Sequence, residues 1–389
     1  MRDDLVVAGL DLSGTVARLA AAAPSADAAG SFPREGVRAV HEAGLLAWSV
    51  AARYGGRDLP LGDLARLAAA LGRGDPSVAL ISLMTLFAHR QQAIGGLWPE
   101  ALYRRVLAEG ERGPVLLNAA RGEPELGSPA RGGLPRTRAR RTARGWAISG
   151  TKRFVTGCEG LSYILVWAST DEIPQRVGTF VVPGGAPGLR IVESWASLGL
   201  RASGSHDVVL DEVEVGAEDV IGLAPADIAG QDNRAQAALT LVVTALYLGV
   251  AEAARDAFLA FAEDRVPANL GYPVARTERF VALAGEIDLL VGGARQIILG
   301  ALDHASDAPD TLLRARLLAG RQIKQAVQLA VGALGNPGLS RDTGLERHFR
   351  DVQSVLVHAP QEDTVVTLLG RGAFAAVAEA ARPDRRPAA

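Results

Sequence analysis

A single cysteine, Cys158, occurs in 389 residues. One thiol cannot build an intrachain disulfide framework, so the core must stand on packing, as in proteins of a reducing compartment. Aromatic residues are scarce, at 5%. Lysine is scarcer still: Lys152 and Lys324 are the only two, and arginine carries nearly all the positive charge. Neither sign dominates, because 41 basic residues stand against 43 acidic ones for a net charge of −2. That balance argues against a nucleic-acid binder or a protein docked on anionic membranes, both of which show a basic excess. Long hydrophobic runs are also missing. The longest candidate, residues 235–250, contains Gln236, two threonines and Tyr247, and reads as a buried helix. Asp3 and Asp4 interrupt the start, and Pro24 and Asp27 follow the alanines at 20–23, so no targeting segment is expected. The expectation is a soluble, cytoplasmic protein with neither nucleic acid nor membrane as partner.

What remains is a chain long enough for two or three domains, and its pattern changes twice. Residues 1–113 read as a helical domain. Within it Asp75-Pro76 is a helix start, a side-chain acceptor followed by a proline whose missing N–H is harmless in the first turn. Ile81, Thr85 and His89 follow at helical spacing. Residues 114–222 hold short β-rich runs separated by glycine and proline, which suggests an antiparallel barrel or sandwich. Residues 223–389 return to helices, over about 235–261, 276–305, 311–334 and 347–358, as in a four-helix bundle. A further helix, 361–379, precedes a tail, 382–389, expected to be disordered. The fold class is α+β.

Several familiar sites are excluded. No G-x-G-x-x-G follows a strand, no phosphate-binding Walker loop is present, and no G-x-S-x-G elbow exists. The six histidines show no zinc-binding spacing. Arginines 131, 136, 138, 140, 141 and 144 form a basic strip, either a solvated face or a contact for a phosphorylated substrate.

Five motifs then occur in order. They are Gly44-Leu45-Leu46 with Tyr54-Gly55-Gly56, Glu123-Pro124-Glu125-Leu126-Gly127-Ser128, Gly150-Thr151-Lys152-Arg153-Phe154-Val155-Thr156, Leu198-Gly199-Leu200-Arg201-Ala202-Ser203-Gly204-Ser205, and Arg347-His348-Phe349-Arg350-Asp351. Together they resemble the acyl-CoA dehydrogenase superfamily of flavoproteins. Pro129 stands where the second motif usually has aspartate. The resemblance implies a flavin where the β domain meets the bundle, with Thr156, Val155 and Ser128 beside it. Arg265 would neutralise cofactor phosphate, plausibly across a subunit boundary, and Gly332 and Gly335 would form the glycine-rich turn. The cofactor implied is FAD. FMN is the alternative, because the segment after Arg265 and the glutamine before the glycine turn both depart from the family pattern.

A dehydrogenase of this family removes a proton α to a thioester and needs a general base within reach. The resemblance places that glutamate at Ala359 or, in other members, at Leu239, and neither side chain can abstract a proton. His358 stands beside the lost position. That arrangement is similar to the two-component flavin monooxygenases of the superfamily, which receive reduced flavin from a separate reductase and hydroxylate carbon, nitrogen or sulfur. His358 would stabilise or protonate the activated oxygen, with some cationic character if it ends a helix. His89 would orient oxygen or a small-molecule substrate, Thr156 would fix the flavin, and Tyr247, Thr240 and Leu239 would line the substrate pocket. Two rival readings stand beside this one. One is a dehydrogenase of acyl-CoA or a carrier-bound acyl group, using Glu362 as an unusual base. The other is a non-catalytic subunit of a hetero-oligomer. The resemblance favours a homotetramer or homodimer.

Overall fold

Helices, a sheet and helices again follow one another in the computed structural model, which describes residues 5–125, 133–226, 233–303 and 309–380. A short hairpin (β1, Val6–Val7; β2, Leu10–Asp11) leads into α1 (Ser13–Ala29), α2 (Arg34–Glu42), α3 (Leu61–Gly74), α4 (Pro76–Gly95) and α5 (Glu100–Gly110). Asp75 caps α4 as its sequence dictates: its carboxylate accepts from the backbone N–H groups of Ser77 and Val78 at 2.8 and 3.3 Å.

The middle region is one eight-stranded sheet: β3 (Leu117–Ala120), β4 (Arg138–Thr142), β5 (Gly145–Val155), β6 (Tyr163–Thr170), β7 (Arg176–Pro183), β8 (Leu189–Val192), β9 (His206–Gly216) and β10 (Val220–Pro225). The order is β10-β7-β6-β4-β5-β9-β8, with β3 also beside β6. Most pairings are antiparallel, as expected, but β3 and β4 both run parallel to β6. Leu117 lies opposite Tyr163, and Arg138 opposite Ser169, so β3 and β4 lie end to end along one side of β6. They are two parts of an interrupted strand, and the interruption holds the Glu123-Pro124 motif.

Glu123 and Lys152 come from different motifs and form one buried ion pair. Lys152 Nζ donates to Glu123 at 2.6 Å, and Thr137 and two backbone N–H groups fill the remaining carboxylate positions. Both side chains are almost wholly buried. Removing one partner strands a charge in the core. Lys152→Met is therefore expected to destabilise the fold by about 3–5 kcal/mol, read as a lower urea midpoint at unchanged slope. The arginine strip, by contrast, is a solvated face: Arg140 and Arg144 pair across strands with Glu212 and Glu214, and Arg136 pairs with Glu125. Arg131 lies outside the described residues.

The last region holds α6 (Asn233–Asp264), α7 (Glu278–Asp303), α8 (Pro309–Leu334), α9 (Asn336–Leu339), α10 (Leu345–Val352) and α11 (Glu362–Ala380). By length and composition α6 could cross a membrane, but 89% of its apolar window is buried inside the protein. It crosses α3 at close range. A Cβ on Gly249 would sit 2.0 Å from the Ala69 carbonyl oxygen, and one on Gly72 would sit 2.0 Å from that of Leu246. The helix expected over 347–358 stops at Val352, and a 3-10 turn, Gln353–Leu356, continues it. His358 therefore lies just past the end of that turn, with its backbone N–H donating to the Ser354 carbonyl at 3.2 Å. The tail, 382–389, lies outside the described residues.

The Arg350-Asp351 motif joins all three regions. Arg350 makes a bidentate pair with Asp27 of α1 at 2.6 and 2.9 Å, while Asp351 accepts from the Leu200 N–H at 2.7 Å. Gly199 packs against the Arg350 carbonyl so closely that any Cβ would collide with it. These motifs hold the walls of the cavity described next.

Candidate active site

A cavity of about 280 Å³ lies where α4, β3, the end of β5, α6, α8 and the loop after α10 converge. Leu80, Met84 and Phe87 of α4, with Leu239 and Val243 of α6, supply much of its apolar wall. Its polar groups include Asn118, Thr156, Thr240, His358, Arg121 and Arg316.

Thr156 is placed by a bulge. The β5–β9 register shifts between Lys152 and Val155, and Phe154 there adopts φ 55°, which exposes its ring against Trp195. The turn aims Thr156 into the cavity, while Val155 stays behind it in the sheet core. Asn118 donates to the Thr156 carbonyl at 3.0 Å, and the Thr156 hydroxyl lies 3.0 Å from that of Ser205. Cys158, two residues on, is buried, and burial pushes its thiol up to about 11. It is therefore a poor nucleophile.

His358 Nε2 lies 2.6 Å from the hydroxyl of Tyr247, which is fully buried on α6 behind the cavity wall. Burial, and then Asp351, raises the Tyr247 phenol well above 10, so it stays protonated. The Tyr247 hydrogen bond orients the imidazole, with Nε2 as donor or acceptor according to the ring's tautomer. Burial first, and the Arg316 guanidinium second, depress the imidazole to about 4. The expected cationic character is thus absent: desolvation outweighs the turn that ends just before His358, and the ring is neutral at pH 7.

His89 belongs elsewhere. The cavity-facing stripe of α4 includes Met84, Phe87, Ala88 and Gln91, and the residue after Ala88 is turned about 100° away. His89 Nδ1 meets the Tyr103 hydroxyl of α5 at 3.0 Å, beside a second pocket lined by His41 and Tyr54. It does not reach the cavity, which overturns the role expected of it. Leu239 and Thr240 do line the cavity. Arg265, Gly332 and Gly335 are exposed and distant from it, and a Cβ on either glycine would meet only open space. Ser128 lies outside the described residues.

Both positions that the resemblance assigns to a base, Leu239 and Ala359, border the cavity. No carboxylate lines it among the described residues. Glu362, the rival base, is held away by Arg321 at 2.6 Å. Sequence reasoning missed Asn118, Arg121 and Arg316. Arg316 carried a signal: it sits in the stripe Leu312, Leu313, Ala319, Ile323, where helical spacing demands an apolar residue.

The sequence matches the acyl-CoA dehydrogenase N-terminal domain over residues 15–95, the middle domain over 118–213 and the C-terminal domain over 241–362. The chain belongs to the acyl-CoA dehydrogenase family. It is 31% identical over 358 residues to "Putative acyl-CoA dehydrogenase YdbM" of Bacillus subtilis, covering 90% of this chain and 91% of that protein. It is 28% identical over 380 residues to L-evernosamine nitrososynthase of Micromonospora sp., covering 88% and 84%. The structure of KijD3 in complex with FMN and a dTDP-linked amino keto sugar superposes with a TM-score of 0.80 at 25% identity, covering 96% and 93%. This acyl-CoA dehydrogenase-fold protein is a flavin-dependent oxidoreductase. Its own residues fit the cofactor: an apolar-walled cavity has the Thr156 hydroxyl, the Asn118 amide and the Arg121 guanidinium on its polar side, the donors a flavin ring edge requires.

Proposed function

We propose that this family member is a monooxygenase that uses reduced flavin and dioxygen to hydroxylate a small organic substrate at carbon, nitrogen or sulfur. One observation carries the reading: the cavity has alkyl side chains at both positions where a dehydrogenase needs its base. Bound reduced flavin supplies the electrons for oxygen activation. Thr156 and Asn118 hold the ring, and the apolar walls of α4 and α6 exclude water from the reacting atoms. His358 presents its imidazole to the reacting oxygen, and Tyr247, acting from behind, keeps the ring's orientation in place. FAD or FMN would arrive reduced from a separate reductase in the cytoplasm. Arg265 and the turn at Gly332 and Gly335 would serve a cofactor site only across a subunit boundary, in a homotetramer or homodimer.

The similarity to YdbM favours a second reading, a dehydrogenase of acyl thioesters. The two readings separate anaerobically. With oxidised flavin bound, butyryl-CoA and longer acyl-CoA esters are expected to leave the flavin absorbance unchanged over minutes. Bleaching by any of them would establish the dehydrogenase and end the oxygenase reading.

A further inference from the structure

Arg316 is the most buried charged group of the cavity, at 1% exposure. Its Nη2 donates to the His358 carbonyl at 2.6 Å, which fixes the loop carrying the imidazole. Its Nη1 is equally buried and has no hydrogen-bond partner, and the Arg316 side chain lines the same cavity. A buried guanidinium N–H left unpaired costs a few kcal/mol, so a fold that keeps one calls for an explanation in function. A second guanidinium, Arg121, lines the cavity too, with the Trp167 ring as its neighbour at 5.8 Å. The charged groups around Arg316 are few. Tyr247 is protonated, His358 is neutral, and Glu362 is engaged by Arg321. The cavity therefore has two cations and, among the described residues, no carboxylate on its walls.

We propose that this cavity is built for an organic carboxylate, whose anionic end lies on Arg316 Nη1 beside His358 and whose apolar body lies along Leu239, Val243 and Phe87. The inference rests on the reading that this cavity holds the substrate. An incoming carboxylate supplies the missing acceptor and balances the buried charge, so the bond is charge-assisted and strong. A neutral amide can offer its carbonyl oxygen to Nη1 but leaves the buried charge unbalanced, so the site discriminates against it by the charge-assisted part of the bond. Because Arg316 also holds the His358 backbone, docking the carboxylate places the rest of the substrate next to the imidazole.

The test needs neither oxygen nor a reductase, so its result is independent of the oxygenase reading. Anaerobic titration calorimetry on the flavin-loaded protein at pH 7.5 compares benzoate with benzamide, and hexanoate with hexanamide. At least one acid is expected to bind about tenfold or more tightly than its amide, the yield of one charge-assisted hydrogen bond. In Arg316→Met that ratio falls to about one while the amide affinity holds, and Arg316→Lys keeps part of it. Should the methionine variant fail to fold, the wild-type ratio and the lysine variant decide the question. Equal binding of acid and amide overturns the proposal, as does a preference that survives in Arg316→Met or no saturable binding by any probe. A preference seen only in flavin-free protein gives Arg316 to the cofactor instead. Tighter binding of phenyl phosphate than of benzoate removes the carboxylate assignment.

Discussion

Replacing His358 by alanine is expected to lower product formed per oxygen consumed by at least about 10²-fold, the usual contribution of a positioned proton donor. Flavin binding should persist, because Thr156 and Asn118 hold their places through Ser205 and the β5 bulge, without the imidazole. Oxygen would still be consumed, but its electrons would appear as hydrogen peroxide. Tyr247→Phe separates touching from positioning: it keeps the imidazole and removes the group 2.6 Å from Nε2 that orients it. Its expected effect is smaller and falls on coupling more than on substrate affinity. The pH profile gives an independent check. With His358 depressed to about 4, the ring is neutral from pH 5 upward and imposes no limb on activity between pH 5 and 8. A limb near pH 6.5 that disappears in the alanine variant would show a solvated imidazole instead.

Acid should destabilise the protein from about pH 6.5, well above the range of ordinary carboxylates. His89 and His358 are depressed to about 4 and His348 to about 3, all chiefly by burial. Between those values and 6.5 the unfolded chain binds three protons that the folded chain refuses, so stability present above pH 6.5 is lost as pH falls. Asp351 acts in the opposite sense. Burial raises it to about 7, so the folded state takes up its proton first and gains stability as pH falls from 7 toward 4. Asp75, whose carboxyl burial also raises, opposes the histidines in the same way, so three protons against these two carboxyls leave a smaller net difference of the same sign. Urea midpoints measured from pH 7.5 to 4.5 would show it. His89→Gln removes one of the three histidine protons and should flatten the slope, while Asp351→Asn should steepen it. A midpoint flat down to pH 5 would mean these histidines are hydrated.

The architecture was legible because each region has its own period and its own punctuation. Asp75-Pro76 begins α4 where the capping rule places it, and the Thr156 segment ends a strand inside a sheet. The parallel seams of β3 and β4 with β6 could not be read, since pairing partners far apart leave no local period. Site residues were legible where one motif fixed them, as with Thr156 and with the alkyl side chains at Leu239 and Ala359. His89 was misplaced because helical spacing gives a face but not the neighbour that face meets, and α5 supplied Tyr103. His358 lines the cavity, but its expected charge is not there, since burial outweighs the turn that ends just before it. Arg316 broke the apolar period of α8, and that break was its signal.

We expect the cavity, with no carboxylate among its described lining residues, to activate oxygen and not to oxidise thioesters. The most direct measurement is a stopped-flow experiment in which protein loaded anaerobically with reduced FAD or FMN meets a pulse of dissolved oxygen. Reoxidation in the protein that is slower than in free flavin, and that becomes faster in His358→Ala, is the predicted result. Reoxidation at the free-flavin rate, unaltered by the substitution, would contradict the account.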